Sequence, residues 1–446
     1  MYLTIVGFFL LLRIALFIYF ILIEGQYLVP DSLIYIDLAK NMVEHHVFSS
    51  SLQAPFNPNF FRTPGYPFFL AICEYLGFGK PYWVIFLQEL IYCFCLWLFY
   101  HFSPPLFGKK ITQLTLLFLL IEPGGLAFPM IYYSEVIFLP FFILGLLFTG
   151  YYLKKYNWHY LVLSGLFLGI GIIIRPALQY LPIIISLSII SFNFRNRQYW
   201  LHSGLLLFIV ALTLSPWLAH NYQHSGKLFL SGQQNNMFAN YHVPRVWAVT
   251  KNISISEGQK IIKSKVNASI DQKEKQLGHP LTEVEIFGVQ KDVALTELKK
   301  HPYVYSKQWV VGALRAMVGL HLPTLKTSLK IKKNAPYLND IKEHTFIYQI
   351  SEFIKQQPIH IIFLLVIRGM LAFFALLGVI VIIRSKNCFL WILMLTNFYF
   401  ICIAGPMADS RFRFPVESFW FIQASYGFIW IYSYLKKYRK ESLIAN

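Results

Sequence analysis

Apolar runs of about twenty residues recur along this chain, and they constrain its fold more than any motif does. A helix needs roughly twenty such residues to cross the hydrocarbon of a bilayer. Only helices or closed barrels satisfy their backbone polar groups there. The runs fall at about 3–23, 81–102, 111–129, 132–153, 158–174, 176–192, 200–220, 359–384, 387–407 and 414–435. They predict an all-α polytopic membrane protein with about ten transmembrane helices. Composition agrees, since 56% of the 446 residues are hydrophobic and only 13% are charged, which is outside the range of soluble domains. The aromatic content of 18% suits a protein with two lipid–water boundaries.

The formal charge of +18 raises nucleic acid as a partner, but the basic residues sit in short runs between the apolar stretches. Cytoplasmic anchoring accounts for that pattern, and no nucleic-acid partner is expected. The runs Lys109-Lys110, Lys154-Lys155, Arg195 with Arg197, Arg384 with Lys386, and the tail Lys436-Lys437-Tyr438-Arg439-Lys440 then decide the topology. The short apolar stretch 64–79 contains Glu74 and several helix breakers. If it crossed the membrane, every basic loop up to Arg197 would face outward. If it is re-entrant or juxtamembrane, all of them face the cytoplasm, together with both termini. The second arrangement is the one expected.

Three regions follow: an N-terminal transmembrane region 1–220 with a first outer loop 24–80, an extracytoplasmic, mostly helical loop region 221–358, and C-terminal transmembrane helices 359–446. Long loops translocate largely regardless of charge, so the lysines of the middle region do not oppose this. Within it, 254–300 reads as soluble helix, and 303–322 is amphipathic enough to lie on the membrane surface. The first run carries Arg13 and no small-residue cleavage site follows it, so it reads as a retained helix rather than a signal peptide. The five cysteines, Cys73, Cys93, Cys95, Cys388 and Cys402, lie in apolar segments and predict neither a disulfide framework nor a metal site.

This topology gathers Asp31, Asp37, Arg62, Glu135, Arg175, His301, Asp409, Arg411 and Arg413 on the outer face. Carboxylates and arginines at one membrane boundary suit a lipid-linked sugar phosphate entering from the bilayer. Arginines hold its phosphate while a carboxylate takes a proton from an acceptor hydroxyl. No Gly-rich phosphate loop is apparent, which agrees with a donor other than a soluble nucleotide. Each residue also has a structural reading. Asp31, between Pro30 and Ser32, is either a helix N-cap or a base. Asp37 lies six residues on and either shares the cleft or is solvated. Arg62 before Thr63-Pro64-Gly65-Tyr66-Pro67 contacts either lipid headgroups or substrate, and Tyr66 is a substrate-binding candidate with it. Glu135 after Ser134 stands at a helix mouth, where carboxylates tend to be functional. Arg175-Pro176 is a snorkelling anchor or a phosphate ligand, and His301-Pro302 a loop turn or a substrate contact. Arg411 and Arg413, before Pro415, are two apart and, on an extended or first-turn segment, present together to one phosphate.

With those residues placed, the chain resembles the membrane-embedded glycosyltransferases that use polyprenyl-phosphate sugars, among them the protein O-mannosyltransferases and the aminoarabinose transferases of lipid A. The matching pieces are Asp31-Ser-Leu-Ile-Tyr35-x3-Ala39, Arg62-Thr-Pro-Gly-Tyr-Pro67, Ser134-Glu135, Ile174-Arg175-Pro176, Pro216-Trp217 with Asn221, His301-Pro302 and Arg411-Phe-Arg413-Phe-Pro415. The resemblance implies a helical bundle with a re-entrant or juxtamembrane outer element. It also implies Asp31 as general base, transfer with inversion at the anomeric carbon, a polyprenyl-phosphate sugar donor, and a glycan, lipid or protein acceptor. It implies a multi-pass protein of the bacterial plasma membrane with an extracytoplasmic site. No cofactor is expected, and a divalent metal is left open. The chain departs from the characterised branches at Ser32, where a second acidic residue is usual, and at Glu417, where many relatives carry proline.

Two other classes compete. A lipid-linked glycan polymerase or ligase shares the outer arginines and long loop but has no need of the Asp31 loop. A flippase or transporter places ionisable groups at mid-membrane and shows internal repeats. Apart from Arg13 and Arg368, the charges here concentrate at the outer boundary, and no repeat is apparent.

Overall fold

A computed structural model of the chain describes residues 2–321 and 359–445, and all secondary structure among the described residues is helical. Residues 322–358, the last part of the expected outer region 221–358 and the end of the amphipathic stretch 303–322, and the side chains of the basic tail from Lys437 onward lie outside the described residues. Each apolar run carries a helix: α1 Tyr2–Leu22, α4 Pro81–Phe102, α5 Lys109–Ile121, α6 Ser134–Lys155, α7 His159–Ile174, α8 Leu181–Phe192, α9 Arg197–Ser225, α14 Ile359–Ser385, α15 Cys388–Ile403 and α16 Glu417–Ala445. Among the described residues, four helices are long and apolar enough to cross a membrane unaided, and a fifth span results if Lys109–Ile121 and Pro123–Met130 count as one element bent by 57°. That bend corrects the uninterrupted run expected at 111–129. Pro123 has no N–H to continue the helix, and the chain breaks at Glu122. The runs at 176–192 and 387–407 likewise hold shorter helices flanked by 3₁₀ turns at Pro176–Leu178 and Gly405–Met407.

Small residues let the helices approach closely, the packing mode expected where lipid removes any hydrophobic drive between them. Thr149 and Ser164 share a hydroxyl hydrogen bond of 2.8 Å between α6 and α7. A Cβ at Gly165 would meet Ile209 at 3.0 Å, and one at Gly169 would meet Thr213 at 2.6 Å, so α7 and α9 run parallel. Between α14 and α16 the backbones nearly touch: a Cβ at Gly378 would stand 1.9 Å from the Gln423 carbonyl oxygen.

These contacts also sort the helix ends. Lys154 reaches the Pro105 carbonyl, Tyr156 the Gln198 side chain, Phe107 the Phe389 ring, and Cys388 the Ser188 carbonyl. Lys109-Lys110, Lys154-Lys155, Arg195, Arg197, Arg384 and Lys386 therefore gather at one end of the bundle. The opposite end carries the segment between α1 and α4, with α2 Pro30–Glu44 and α3 Gly65–Tyr75. At 11 residues α3 spans only about 16 Å, half the hydrocarbon thickness, and is too short to cross alone.

The middle region begins with the short helix Gln233–Met237 and continues as α10 Val243–Lys251, α11 Ile255–Leu277, α12 Glu283–Lys299 and α13 Pro302–Val318. Ser254 and Thr282 cap α11 and α12 by accepting the N–H of Glu257 and Glu285. Trp247, Ile262, Val266, Ala294 and Leu298 form their common core. This unit docks on the first loop: the Phe60 N–H donates to Glu283 at 3.3 Å, and Phe61 packs near Phe287. On α13, Tyr303, Val310 and Leu314 leave apolar surface exposed.

Candidate functional site

Asp31 stands in the first turn of α2, which Pro30 opens with its preset φ. It is not the cap. Val29 occupies that position, and the Ser32 hydroxyl accepts the Val29 N–H at 3.1 Å while donating to the Tyr132 carbonyl. Ser32, the point of departure from the acidic pair, thus has a local structural task. It leaves the Asp31 carboxylate to Arg62 Nη2 at 2.7 Å and to Arg411 Nη1 at 3.2 Å.

The other carboxylate is Glu135, fully buried in the first turn of α6. Its Oε1 accepts from Arg411 Nε and from Arg175 Nη1, each at 2.6 Å, and its Oε2 has no partner. Arg411 therefore bridges the two acids, and the charges alternate in one ladder: Arg62, Asp31, Arg411, Glu135, Arg175. Cations outnumber anions by one. Burial by itself raises the Asp31 carboxyl, but the Arg411 and Arg62 guanidiniums outweigh it and hold the group below the usual carboxylate value.

Local sequence explains how distant residues reach this ladder. The residue before a proline is pushed out of the helical region, so Pro176 ends α7 at Ile174 and leaves Arg175 extended, at φ −137°. Gly65 lets α3 pack against that same end, because a Cβ there would sit 2.8 Å from the Ile174 Cα. The Arg-Thr-Pro-Gly turn is thereby pressed against the Arg175 corner. Tyr66 is fully buried and donates its hydroxyl to Gln88 at 2.8 Å, and Gln88 in turn donates to the Pro129 and Ile131 carbonyls. It anchors the turn and does not line the cavity.

Beside the ladder lies a cavity of about 340 Å³ whose lining includes Arg62, Arg175 and Arg411 together with Phe229, Leu230, Ser231, Gln233, Gln234 and Asn235. Tyr35, one helical turn beyond Asp31, accepts from Arg62 at 3.2 Å and also lines it. The Tyr133 ring lies 3.8 Å beneath Arg411. Sequence reasoning placed Tyr35 in the matched motif without a role and passed over Tyr133, although Tyr35 at i+4 from Asp31 and Tyr133 beside Ser134-Glu135 were visible signals.

Asp37, half-buried, makes none of these contacts. Six residues along a helix is about 240° of rotation, so it leaves the Asp31 face. His301 starts α13, its N–H donating to Leu298, and does not join the ladder. Arg413 is turned away as well. Ser410–Arg413 is a single helical turn, and this corrects the expectation that such a first turn presents both arginines together, because two residues within it point about 200° apart. Asp409 caps it by accepting the Arg411 N–H at 2.9 Å.

Arg413 enters a second, separate network. It donates to Glu417 at 3.1 Å and Glu122 at 3.3 Å, while Arg368 reaches Glu122 at 3.0 Å and His321 reaches Glu417 at 2.7 Å. Glu122, His321 and Glu417 could hold a metal ion by spacing, with ligand atoms within 4.8 Å of one another. Two guanidiniums already balance the two carboxylates, so a divalent cation would face uncompensated repulsion, and the group fits an ion-pair network better. Arg13, buried, pairs with Glu89 and donates to the Gly125 carbonyl at 2.7 Å, tying α1 to α4 and to the broken helix.

Residues 61–220 match the family model described as dolichyl-phosphate-mannose-protein mannosyltransferase. The matched span contains Arg62, Tyr66, Glu135 and Arg175, and it bears out the resemblance read from the motifs. No curated protein matches the chain. Among solved structures, the archaeal oligosaccharyltransferase AglB from Archaeoglobus fulgidus, in complex with an inhibitory peptide and a dolichol-phosphate, aligns with a TM-score of 0.50 at 14% identity. The alignment covers 94% of this chain and 48% of that one, so the chain spans about half the length of AglB, and the likeness is one of fold. ArnT from Cupriavidus metallidurans, bound to undecaprenyl phosphate, aligns at 13% identity over 95% of this chain and 76% of its own, with a TM-score of 0.40.

Proposed function

We propose that the chain is an inverting, membrane-embedded glycosyltransferase that moves a sugar from a polyprenyl-phosphate donor to an acceptor hydroxyl. One observation carries this reading: a ladder of three arginines and two carboxylates opening on a cavity at one end of a helical bundle. The family match and the AglB-like fold support it.

The charges suit the reaction. A polyprenyl-phosphate sugar is a phosphodiester with one negative charge, which balances the single excess cation. Arg62 and Arg411, each already contacting Asp31, are placed to exchange that contact for phosphate oxygens. Asp31, freed as a carboxylate, takes the acceptor proton as the acceptor oxygen bonds to the anomeric carbon and the carbon–phosphate oxygen bond breaks. The leaving polyprenyl phosphate gains one negative charge as Asp31 loses one, so the arginines stabilise the transition state without a change in the net charge of the site. Attack opposite the phosphate inverts the anomeric carbon. Glu135 fixes the spacing of Arg175 and Arg411.

The gathered basic residues mark the cytoplasmic end in this reading, which places the ladder and the unit 221–358 outside and both termini inside. The chain then divides into 1–220, 221–358 and 359–446, with a plasma-membrane location.

Mass spectrometry of envelope glycolipids and glycoproteins tests the proposal in cells carrying the wild type, the Asp31→Asn variant or no gene. A glycoform present with the wild type should vanish without the gene. It should form on the order of 10²- to 10⁴-fold more slowly with Asp31→Asn. Binding of polyprenyl phosphate to the purified variant should stay at or above the wild-type level, because a competing anion has been removed. Wild-type turnover in Asp31→Asn would sink the base assignment.

A further inference from the structure

We propose that Tyr133 is a positioning residue for donor binding, its ring holding the Arg411 guanidinium in place while that group exchanges Asp31 for phosphate; this rests on the glycosyl-transfer reading above. Arg411 Cζ lies 3.8 Å from the Tyr133 ring centroid, well inside the ~6 Å over which a ring face attracts a cation. The cavity lining includes Arg411 and Ser134 but not Tyr133. The ring therefore backs the guanidinium and leaves the cavity side to the ligand.

The face and the edge of a guanidinium serve different partners, since its N–H donors lie in one plane and point outward from the edge. In Arg411 the edge is given to carboxylates. Nε donates to Glu135 at 2.6 Å, while Nη1 and Nη2 donate to Asp31 Oδ2 at 3.2 and 3.3 Å. A phosphate that displaces Asp31 takes over the two Nη donors and leaves the Nε bond to Glu135 as the remaining polar tether. One hydrogen bond lets the planar group swing about its axis; a ring against its face does not. The ring also carries no net charge. A carboxylate in its place would cancel the one excess cation of the ladder and repel the incoming phosphate. Arg62, the other arginine on Asp31, is held in the same manner, its Cζ 4.8 Å from the centroids of both Tyr35 and Phe61.

Tyr133 is itself fixed by its neighbours. It is the extended residue before α6, at φ −122° and ψ 143°, and its N–H donates to the Ile131 carbonyl at 2.8 Å. Its ring centroid lies 6.0 Å from that of Phe128, and Phe128, fully buried, stacks on Phe414 at 4.2 Å. Phe414 follows Arg411 by three residues. The ring contacts thus run from Arg411 through Tyr133 and Phe128 back to the segment that carries Arg411, and release of Asp31 leaves this circuit unbroken.

Binding of polyprenyl phosphate to the full chain in nanodiscs tests this, with polyprenol as the control for partition into the lipid. Tyr133→Leu should weaken the binding about fivefold or more, and Tyr133→Phe, which keeps the ring, should recover most of the loss. A graded series covers the case in which Tyr133→Leu does not fold. Replacing Tyr133 by mono-, di- and trifluorophenylalanine draws electron density from the ring face with little change of shape, so affinity should fall stepwise along the series. In an Arg411→Ala background the same replacements should change affinity by less than about twofold, because the guanidinium they act through is gone. A flat fluorine series with Arg411 present, or equal losses with and without Arg411, overturns the inference. Failure of the wild type to bind polyprenyl phosphate more tightly than polyprenol would instead remove the glycosyl-transfer reading, and the inference with it.

Discussion

At the scale of single residues, the contrast between Arg411 and Arg413 shows how little adjacency says about role. Arg411 bridges Asp31 and Glu135 and reaches the cavity, whereas Arg413 is wholly buried among Glu417, Glu122 and backbone carbonyls. Lysine retains the charge of either residue but loses the planar fork. Arg411→Lys should weaken polyprenyl-phosphate binding about tenfold or more and leave thermal stability near that of the wild type. Arg413→Met should do the reverse, because removing one partner of a buried ionic network costs about 3–5 kcal/mol. Ligand binding and thermal unfolding measured on both variants check this, and a stability loss confined to Arg411→Lys would exchange the two assignments. Sequence brought out both arginines as candidates, along with Asp31, Glu135, Arg62 and Arg175. It could not separate the pair, because the turn geometry that directs them apart depends on the Asp409 cap and on Glu417, each of which needs the folded partner to acquire meaning.

At the scale of elements, the turn before α3 is where a sequence motif becomes a positioning device. Gly65 touches the end of α7 at Ile174, next to Arg175, and Tyr66 is held by Gln88 of α4. Gly65→Val should force α3 away from α7, lowering stability by about 1–3 kcal/mol through overpacking. It should also separate Arg62 from Arg175, so transfer activity should fall further than the thermal shift alone accounts for. Activity measured at a temperature where the variant remains folded decides between the two effects, and full activity there would show that the turn does not position the arginines. The motif was legible as a rigid turn because Pro64, Gly65 and Pro67 announce one. That Tyr66 faces a glutamine inside the bundle, instead of the cavity, was not, since an aromatic after a turn reads alike in both settings.

At the scale of the whole molecule, the ladder and the basic residues occupy opposite ends of the bundle, and the proposed orientation follows from which end faces the cytoplasm. Single cysteines near Gln53 and near Lys273, in a background lacking the five native ones, should react with a membrane-impermeant thiol reagent in intact, outer-permeabilised cells. One near Lys154 should not. Labelling at Lys154 with silence at Lys273 would invert the orientation and move the ladder to the cytoplasm. By itself the sequence determined the all-helical, membrane-suited character of the chain, where its apolar helices run and the residue types of a phosphate-binding site. Those depend on composition and on local chain stiffness, which neighbouring residues set without reference to the rest of the fold. Tertiary structure alone decided that Asp31, Arg62, Glu135, Arg175 and Arg411 meet in one ladder, that Asp37, His301 and Arg413 stay apart from it, and that the ladder's arginines line a cavity shared with residues from 229 to 237. Those outcomes turn on which helix faces pack together across hundreds of residues, and a close approach at a single glycine can settle them.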